Sequence, residues 1–420
     1  MRRMSGITGA AVLGSLVIAG LIAPTANAEV STSTVTPPIL SATDQRIGVY
    51  LTARALNPQL GTDLKALVTD TGSGTTLWSQ GPTTGQLPAS TTKLVTAVNT
   101  LQAFGPDYRF ATTVRRGNYW RDVVLVGAGD PGLSSTQISS LATRTAVTVV
   151  SHGIRTVRVY VDDSLFPAPS LAYGWKSTYV PTDVSPVRAL VVNQHRSLDT
   201  SIDAGKTFAA MLATHGVKTA LVARGRAPAG SPLIGSVLGR RVDSLLGSML
   251  RPSDNDYAEA FHRLVAKRSG YPTTWTGAQA AQRKVLAGLG VDLSTSRLYD
   301  GSGLSRADRL TPAQLVAVLT LAVDGNHPKL AVLPSLLPLA ARTGTLAPDF
   351  LRYTTAPTSC AAGLIQAKTG SLAGVIGLAG YARGADGRTK AFALLDNGVP
   401  ATLTTRRAVD RLAATVTGCY

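Results

Sequence analysis

Apolar positions along this chain follow two spacings, and the switch between them marks out its elements. Over 44–60, Ile47, Tyr50, Leu51 and Ala55 share one stripe of helical period. Residues 64–70 then read as a strand, and the Gly72-Ser73-Gly74 turn with 75–78 completes a hairpin. A second apolar helical run begins near Ser90. From about 107 the texture changes. Short strand-like runs at 123–126, 157–161 and 220–223 are separated by Gly/Pro-rich turns at 127–132, 166–169 and 227–230. Helical spacing returns at 243–250, 257–267 and 277–289, and Thr311 is placed to cap a helix over 312–323. Strands at 375–382 and 390–395 form a hairpin, followed by an amphipathic helix at 402–416. The pattern predicts an α+β fold: an antiparallel sheet with helices on both faces, built from 41–106 and 236–420. A β-rich domain, 107–235, is inserted between them.

The first residues read as a leader rather than as fold. Arg2 and Arg3 precede an apolar run from Ile7 to Ala23, and Ala26-Asn27-Ala28 fits a small-x-small cleavage site. This predicts a secretory signal over 1–28. The alternative is an uncleaved anchor, since the run nears the lower limit for a bilayer span. Residues 29–40, rich in Ser, Thr and Pro, read as a disordered linker. No later stretch is long and apolar enough to span, so no membrane span is expected after cleavage, and the protein is expected outside the cytoplasmic membrane.

The remaining length, about 390 of 420 residues, suggests two domains. The formal charge of +17 falls to +15 without Arg2 and Arg3, which favours anionic surroundings such as cell-wall polymers. Nucleic acid is the other usual partner of a basic chain, but export and the lack of aromatic-interleaved basic runs argue against it. The five histidines show no metal spacing, and Gly127-Ala128-Gly129 opens no helix, so no cofactor is expected. The only cysteines, Cys360 and Cys419, fit one disulfide in an oxidising compartment, two buried free thiols being the alternative.

Three short motifs carry the candidate chemistry. Ser90-Thr91-Thr92-Lys93 sets a serine and a lysine on one face at a helix start. A serine hydroxyl needs a base to become a nucleophile, and a lysine desolvated toward neutrality can be that base. Alone, the pair reads more readily as the polar first turn of a surface helix. Ser253-Asp254-Asn255 opens a later helix, and Lys368-Thr369-Gly370 opens an apolar strand. Each pattern, Ser-x-x-Lys, Ser-x-Asn and Lys-Thr-Gly, occurs once, in that order.

The triple resembles the signature of penicillin-binding proteins and serine β-lactamases. Gly129-Asp130-Pro131, the run Asp300-Gly301-Ser302-Gly303-Leu304-Ser305-Arg306, and Gly344-Thr345-Leu346 narrow the resemblance. They are similar to the low-molecular-mass class C group, the type 4 D-alanyl-D-alanine carboxypeptidase/endopeptidases. The resemblance covers most of the chain after residue 40, with an insertion shorter than in many relatives. It implies a serine β-lactamase-like transpeptidase fold, peptidoglycan stem peptides as substrate, and acylation by β-lactam antibiotics. It also implies roles. Ser90 would be the nucleophile, Lys93 its base, Ser253 a proton relay, Asn255 an orienting amide, and Lys368 a source of positive potential. The Ser90 and Ser371 backbone N–H groups would form an oxyanion hole. Thr369, Gly370 and Ser371 would line the carboxylate site, and Asp130 and Arg306 would meet a charged stem side chain.

Plainer readings stand beside these: surface hydroxyls for Thr369 and Ser371, a turn cap for Asn255, an Asp-Pro turn for Asp130, a solvated loop arginine for Arg306. Arg342-Thr343-Gly344-Thr345 is a rival third motif, but no apolar strand follows it. Class A β-lactamases need a glutamate between the second and third motifs. This chain has two glutamates, Glu29 and Glu259, and the latter lies within the second motif's own helix. The non-enzyme alternative is a wall-peptide or β-lactam binder of the same fold with little turnover.

Overall fold

The computed structural model describes residues 40–420 and, before them, Ala11 alone. The leader at 1–28 and nearly all of the 29–40 linker lie outside the described residues. Helix α1 (Ala42–Arg54), capped by the Ser41 side chain, is followed by the hairpin β1 (Asp63–Asp70) and β2 (Thr76–Gln80). A 3-10 turn at Ala89–Thr91 leads into α2 (Thr92–Phe104). The inserted stretch holds β3 (Arg109–Arg116), β4 (Asp122–Val126), α3 (Ser135–Ser151), β5 (Thr156–Asp162), α4 (Thr200–Thr214), β6 (Lys218–Arg224) and β7 (Leu233–Arg241). Helices α5 (Val242–Leu250), α6 (Asn255–Arg268), α7 (Trp275–Ala287), α8 (Pro312–Thr320) and the single turn α9 (Leu333–Leu336) come next. Strands β8 (Ile365–Leu372), β9 (Val375–Arg383) and β10 (Thr389–Asn397) precede the last helix, α10 (Leu403–Val416).

One sheet runs β2-β1-β10-β9-β8, antiparallel throughout. Its strands alternate between two cores, as the pleat requires. On β10, Phe392 and Leu394 join α1 and α10 on one face, while Ala391, Ala393 and Leu395 join α2, α5, α6 and α8 on the other. Because both faces are covered, β9 and β10 read as continuous apolar runs. Helix α2 crosses the middle of the larger core, with every residue from Thr92 to Leu101 buried.

The second sheet runs β6-β5-β4-β3-β7, and the insertion, read from sequence as β-rich, holds two long helices beside these strands. The β4–β5 and β5–β6 pairs are parallel, which requires crossovers. These are α3 and α4, two helices the sequence pattern left unread. Strand β7 ends at Arg241, so this sheet extends past 235. Lys368-Thr369-Gly370 also differs from its expected placement: it lies inside β8 rather than opening a strand. Helix α1 stops at Arg54, short of the expected 60, before Pro58.

Cys360 and Cys419 are disulfide-bonded, with Cα atoms 6.0 Å apart, and tie α10 to the segment entering β8. Among the described residues no helix is long and apolar enough to cross a membrane.

Candidate active site

Ser90 sits in the 3-10 turn that leads into α2, directly after Ala89, whose φ is +47°. A left-handed alanine is uncommon and persists only where its surroundings fix it. Here the neighbours are glycines that bring other backbone close. A Cβ on Gly303, itself at φ +80°, would stand 1.9 Å from the Ala89 carbonyl oxygen, and one on Gly370 would stand 2.8 Å from that of Pro88. The nucleophile turn is thus pressed between the 300–306 loop and β8, the edge strand of its sheet.

One helical turn on, Lys93 is completely buried. Its Nζ donates to Ser90 Oγ at 3.0 Å, to Asn255 Oδ1 at 2.7 Å and to the Ser302 carbonyl at 2.8 Å. Three acceptors match the three protons of an ammonium. When one proton leaves, two remain for Asn255 and Ser302, and the lone pair faces Ser90. Burial lowers the Lys93 pKa to about 8, partly opposed by the carboxylates of Asp300, Glu259, Asp254 and Asp256.

The second motif reaches Lys93 from the start of α6. The cap of that helix is Asp254, which accepts from the Tyr257 N–H at 3.0 Å. Asn255 is therefore not the turn cap. Its Oδ1 faces Lys93, and its Nδ2 donates to the Asp183 carbonyl at 2.9 Å. Ser253, at φ +66°, sits in the turn between α5 and α6, and its hydroxyl is outside the hydrogen-bonded set around Lys93.

The third motif lies along β8. Lys368 is buried, donates to the Thr369 carbonyl at 2.8 Å, and has its pKa pushed well below the ordinary lysine value by burial and by the charge of Lys93. Thr369 Oγ1 is 2.7 Å from Thr345 Oγ1, so the rival Arg342–Thr345 stretch packs against the motif as a support. Ser371 Oγ accepts from Arg406 Nη2 at 3.2 Å, and Arg306 Nη1 donates to the Ala373 carbonyl at 2.9 Å, in the turn that follows β8. Arg306 is therefore anchored at the rim rather than free in solvent. Asp130 is not brought into this set. It is 2 % exposed, accepts from the Gly132 N–H at 2.8 Å as a turn residue does, and has its pKa raised to about 6 by burial.

Several residues that build the site were given no role in it from sequence. Glu259, fully buried, accepts from the Gly301 N–H at 3.0 Å and the Ser302 N–H at 2.8 Å. Burial and the neighbouring Asp300 raise its pKa to about 8. Asp300 accepts from the N–H groups of Gly303 and Ser305, both at 2.7 Å, and from Trp175 Nε1 at 2.6 Å. Together the two carboxylates shape the loop that aims the Ser302 carbonyl at Lys93. The Asp-Gly-Ser-Gly run was the available signal for this loop. Asp183 and Arg406 left none.

Comparison with known proteins agrees with this geometry. The D-Ala-D-Ala carboxypeptidase 3 (S13) family profile matches residues 49–198 and 194–416. Carboxypeptidase DacB of Mycolicibacterium smegmatis is 35% identical over 412 residues, covering 92% of this chain and 87% of that protein. Among solved structures, penicillin binding protein 4 (dacB) of Haemophilus influenzae superposes with a TM-score of 0.74 at 21% identity, over 88% of this chain and 98% of that one. Its complex with a β-lactam gives 0.66 at 20% identity, over the same shares of the two chains. At such identity the match speaks for the fold, which is the penicillin-binding-protein fold. The chain belongs to the D-Ala-D-Ala carboxypeptidase 3 (S13) family, as a low-molecular-mass class C penicillin-binding protein.

Proposed function

We propose that the protein is a serine-type D-alanyl-D-alanine carboxypeptidase, able also to act as an endopeptidase, working on peptidoglycan stem peptides outside the cytoplasmic membrane. The observation that carries this reading is the fully buried Lys93 amine, 3.0 Å from Ser90 Oγ and with its pKa lowered to about 8. Ser90 Oγ attacks the carbonyl carbon of the penultimate D-alanine as its proton passes to Lys93. The tetrahedral oxyanion is received by the backbone N–H groups of Ser90 and Ser371, donors of a type that contributes several kcal/mol. The C–N bond then breaks. The proton taken up by Lys93 passes to the leaving amine by way of Ser253, which would join this path as substrate binds, the terminal D-alanine departs, and an ester remains on Ser90. Water attacks that ester and gives a proton to Lys93, the Ser90 Oγ–C bond breaks, the proton passes on to Ser90 Oγ, and the shortened peptide leaves.

Asn255 holds Lys93 and the substrate amide, and Lys368 supplies positive potential. The hydroxyls of Thr369 and Ser371 receive the terminal carboxylate beside Gly370, and Arg306 at the rim meets a charged stem side chain. The +15 charge after leader removal suits anionic wall polymers, and the Cys360–Cys419 bond suits an oxidising compartment.

With penicillin the same attack opens the β-lactam, and the adduct should persist. Glu259 is buried and engaged by the Gly301 and Ser302 N–H groups, so it is not free to drive water onto the ester. Intact mass spectrometry after mixing should show one stable penicilloyl adduct. Rapid loss of the adduct with continued consumption of drug would instead mark a β-lactamase.

A further inference from the structure

A primary amide such as Asn255 has two ends of nearly equal shape and opposite hydrogen-bonding sense. Lys93 needs the oxygen end, since an ammonium or amine N–H cannot donate to an NH2 group. Nothing within α6 selects that orientation, and the partner that does comes from the insertion. Asn255 Nδ2 donates to the Asp183 carbonyl at 2.9 Å. A flipped amide would set its oxygen against that carbonyl oxygen and its NH2 against Lys93, two repulsive contacts at once.

The segment that carries the Asp183 carbonyl is itself held in two ways. Val184 and Val187 are buried in the core that contains α2 and α6. Asp256, the residue after Asn255, grips the same segment. Its Oδ1 accepts from the Ser185 N–H at 2.7 Å and its Oδ2 from Arg196 Nε at 2.9 Å. Arg196 Nη1 in turn donates to the Thr182 carbonyl at 2.8 Å. Two consecutive residues of α6 and one arginine of the insertion thus close a clamp around residues 182–185.

We propose that the insertion completes the catalytic site, with Asp256 and Arg196 as positioning residues that hold the Asp183 carbonyl against Asn255 Nδ2 and so keep Asn255 Oδ1 on Lys93. This rests on the roles given above to Lys93 and Asn255. The inserted domain is then part of the acylation machinery, and small displacements of 182–185 are felt at Ser90. Misplacing a reacting group by about 1 Å can cost on the order of a hundredfold.

The test is acylation by a chromogenic penicillin, resolved into initial binding and the acylation rate constant, on the full chain. Arg196→Ala and Asp256→Ala should each lower the acylation constant about tenfold or more, with initial binding changed less than threefold. Arg196→Lys, which keeps the charge facing Asp256, should recover most of the loss. A purely structural role would instead lower the fraction of protein that labels, leave the rate constant of that fraction unchanged, and overturn the inference. In the Asn255→Ala background Arg196→Ala should change nothing further, since its effect passes through that amide; an equal loss in both backgrounds would overturn it. Arg196 is a surface side chain, so its variants keep the test available should Asp256→Ala fail to fold. If Asn255→Ala itself acylates normally, the role given to Asn255 fails. If Asn255→Ala is slow and Arg196→Ala is not, only the clamp fails.

Discussion

Replacing Ser90 by alanine is expected to abolish covalent labelling by a fluorescent penicillin completely while leaving the fold intact. The substitution removes one oxygen, and with it the only atom placed to form the ester. Ser90 is half-buried in the turn ahead of α2, and its Cβ survives in alanine. The left-handed turn at Ala89 and the close approach of Gly303 are untouched. Lys93 loses one hydrogen-bond partner and keeps the Asn255 oxygen and the Ser302 carbonyl. Gel fluorescence should show no band, and the unfolding temperature should stay within about 3 °C, as for a partly exposed substitution away from the core. Persistent labelling at another serine would remove the assignment.

Lys93 carries the second large effect. Lowering its pKa from 10.5 to about 8 raises the neutral fraction at pH 7 by about 300-fold. The sign follows from which form is active. Only the neutral amine can take the Ser90 proton, so the acylation rate should climb about tenfold per pH unit well below 8. It should level off above 9, where the amine is already neutral. Lys93→Ala should remove two to four orders of magnitude of acylation rate, the usual scale for a general base. A rate flat from pH 6 to 9, or near-normal acylation by Lys93→Ala at neutral pH, would refute the role. Burial sets the direction of this shift, and the carboxylates that partly oppose it lie on separate elements: Asp300 on the loop, and Glu259, Asp254 and Asp256 about α6.

What the sequence made legible follows from how each residue acts. Ser90 and Lys93 were readable because side chains three apart on a helix meet, and that rule is local. Asn255 and Lys368 were readable as members of an ordered motif set. The residues left unread act through backbone or across long separations. Ser302 offers a carbonyl, Asp183 another, and Glu259 works by holding two N–H groups; the Asp-Gly-Ser-Gly run marked the Ser302 loop, but no side-chain pattern announces these roles. Arg406 reaches Ser371 from α10, a helix that periodicity located without indicating its polar partners.

In the fold, the antiparallel sheet and most flanking helices were legible because apolar spacing there is strong. Helices α3 and α4 were not. The sequence of α3 is crowded with Thr and Val, which lower helix propensity, although Ile138, Leu141, Ala142, Ala146 and Val149 do keep helical spacing and are buried. Strand β3 hides Phe110, Thr112 and Val114 among arginines and threonines, so its alternation is weak on any hydrophobic scale. Asp130 was readable both as a residue resembling one that meets a stem side chain and as an Asp-Pro turn; what was not readable is its burial, with Gly239 packed against its carboxylate.

The central claim is turnover at Ser90 rather than mere binding of wall peptide. Release of D-alanine from a stem peptide ending in D-Ala-D-Ala, followed with wild type and Ser90→Ala side by side, tests it most directly. The account predicts many equivalents of D-alanine per molecule of wild type and none from the variant. A wild-type protein that takes up penicillin on Ser90 yet releases no D-alanine would contradict it.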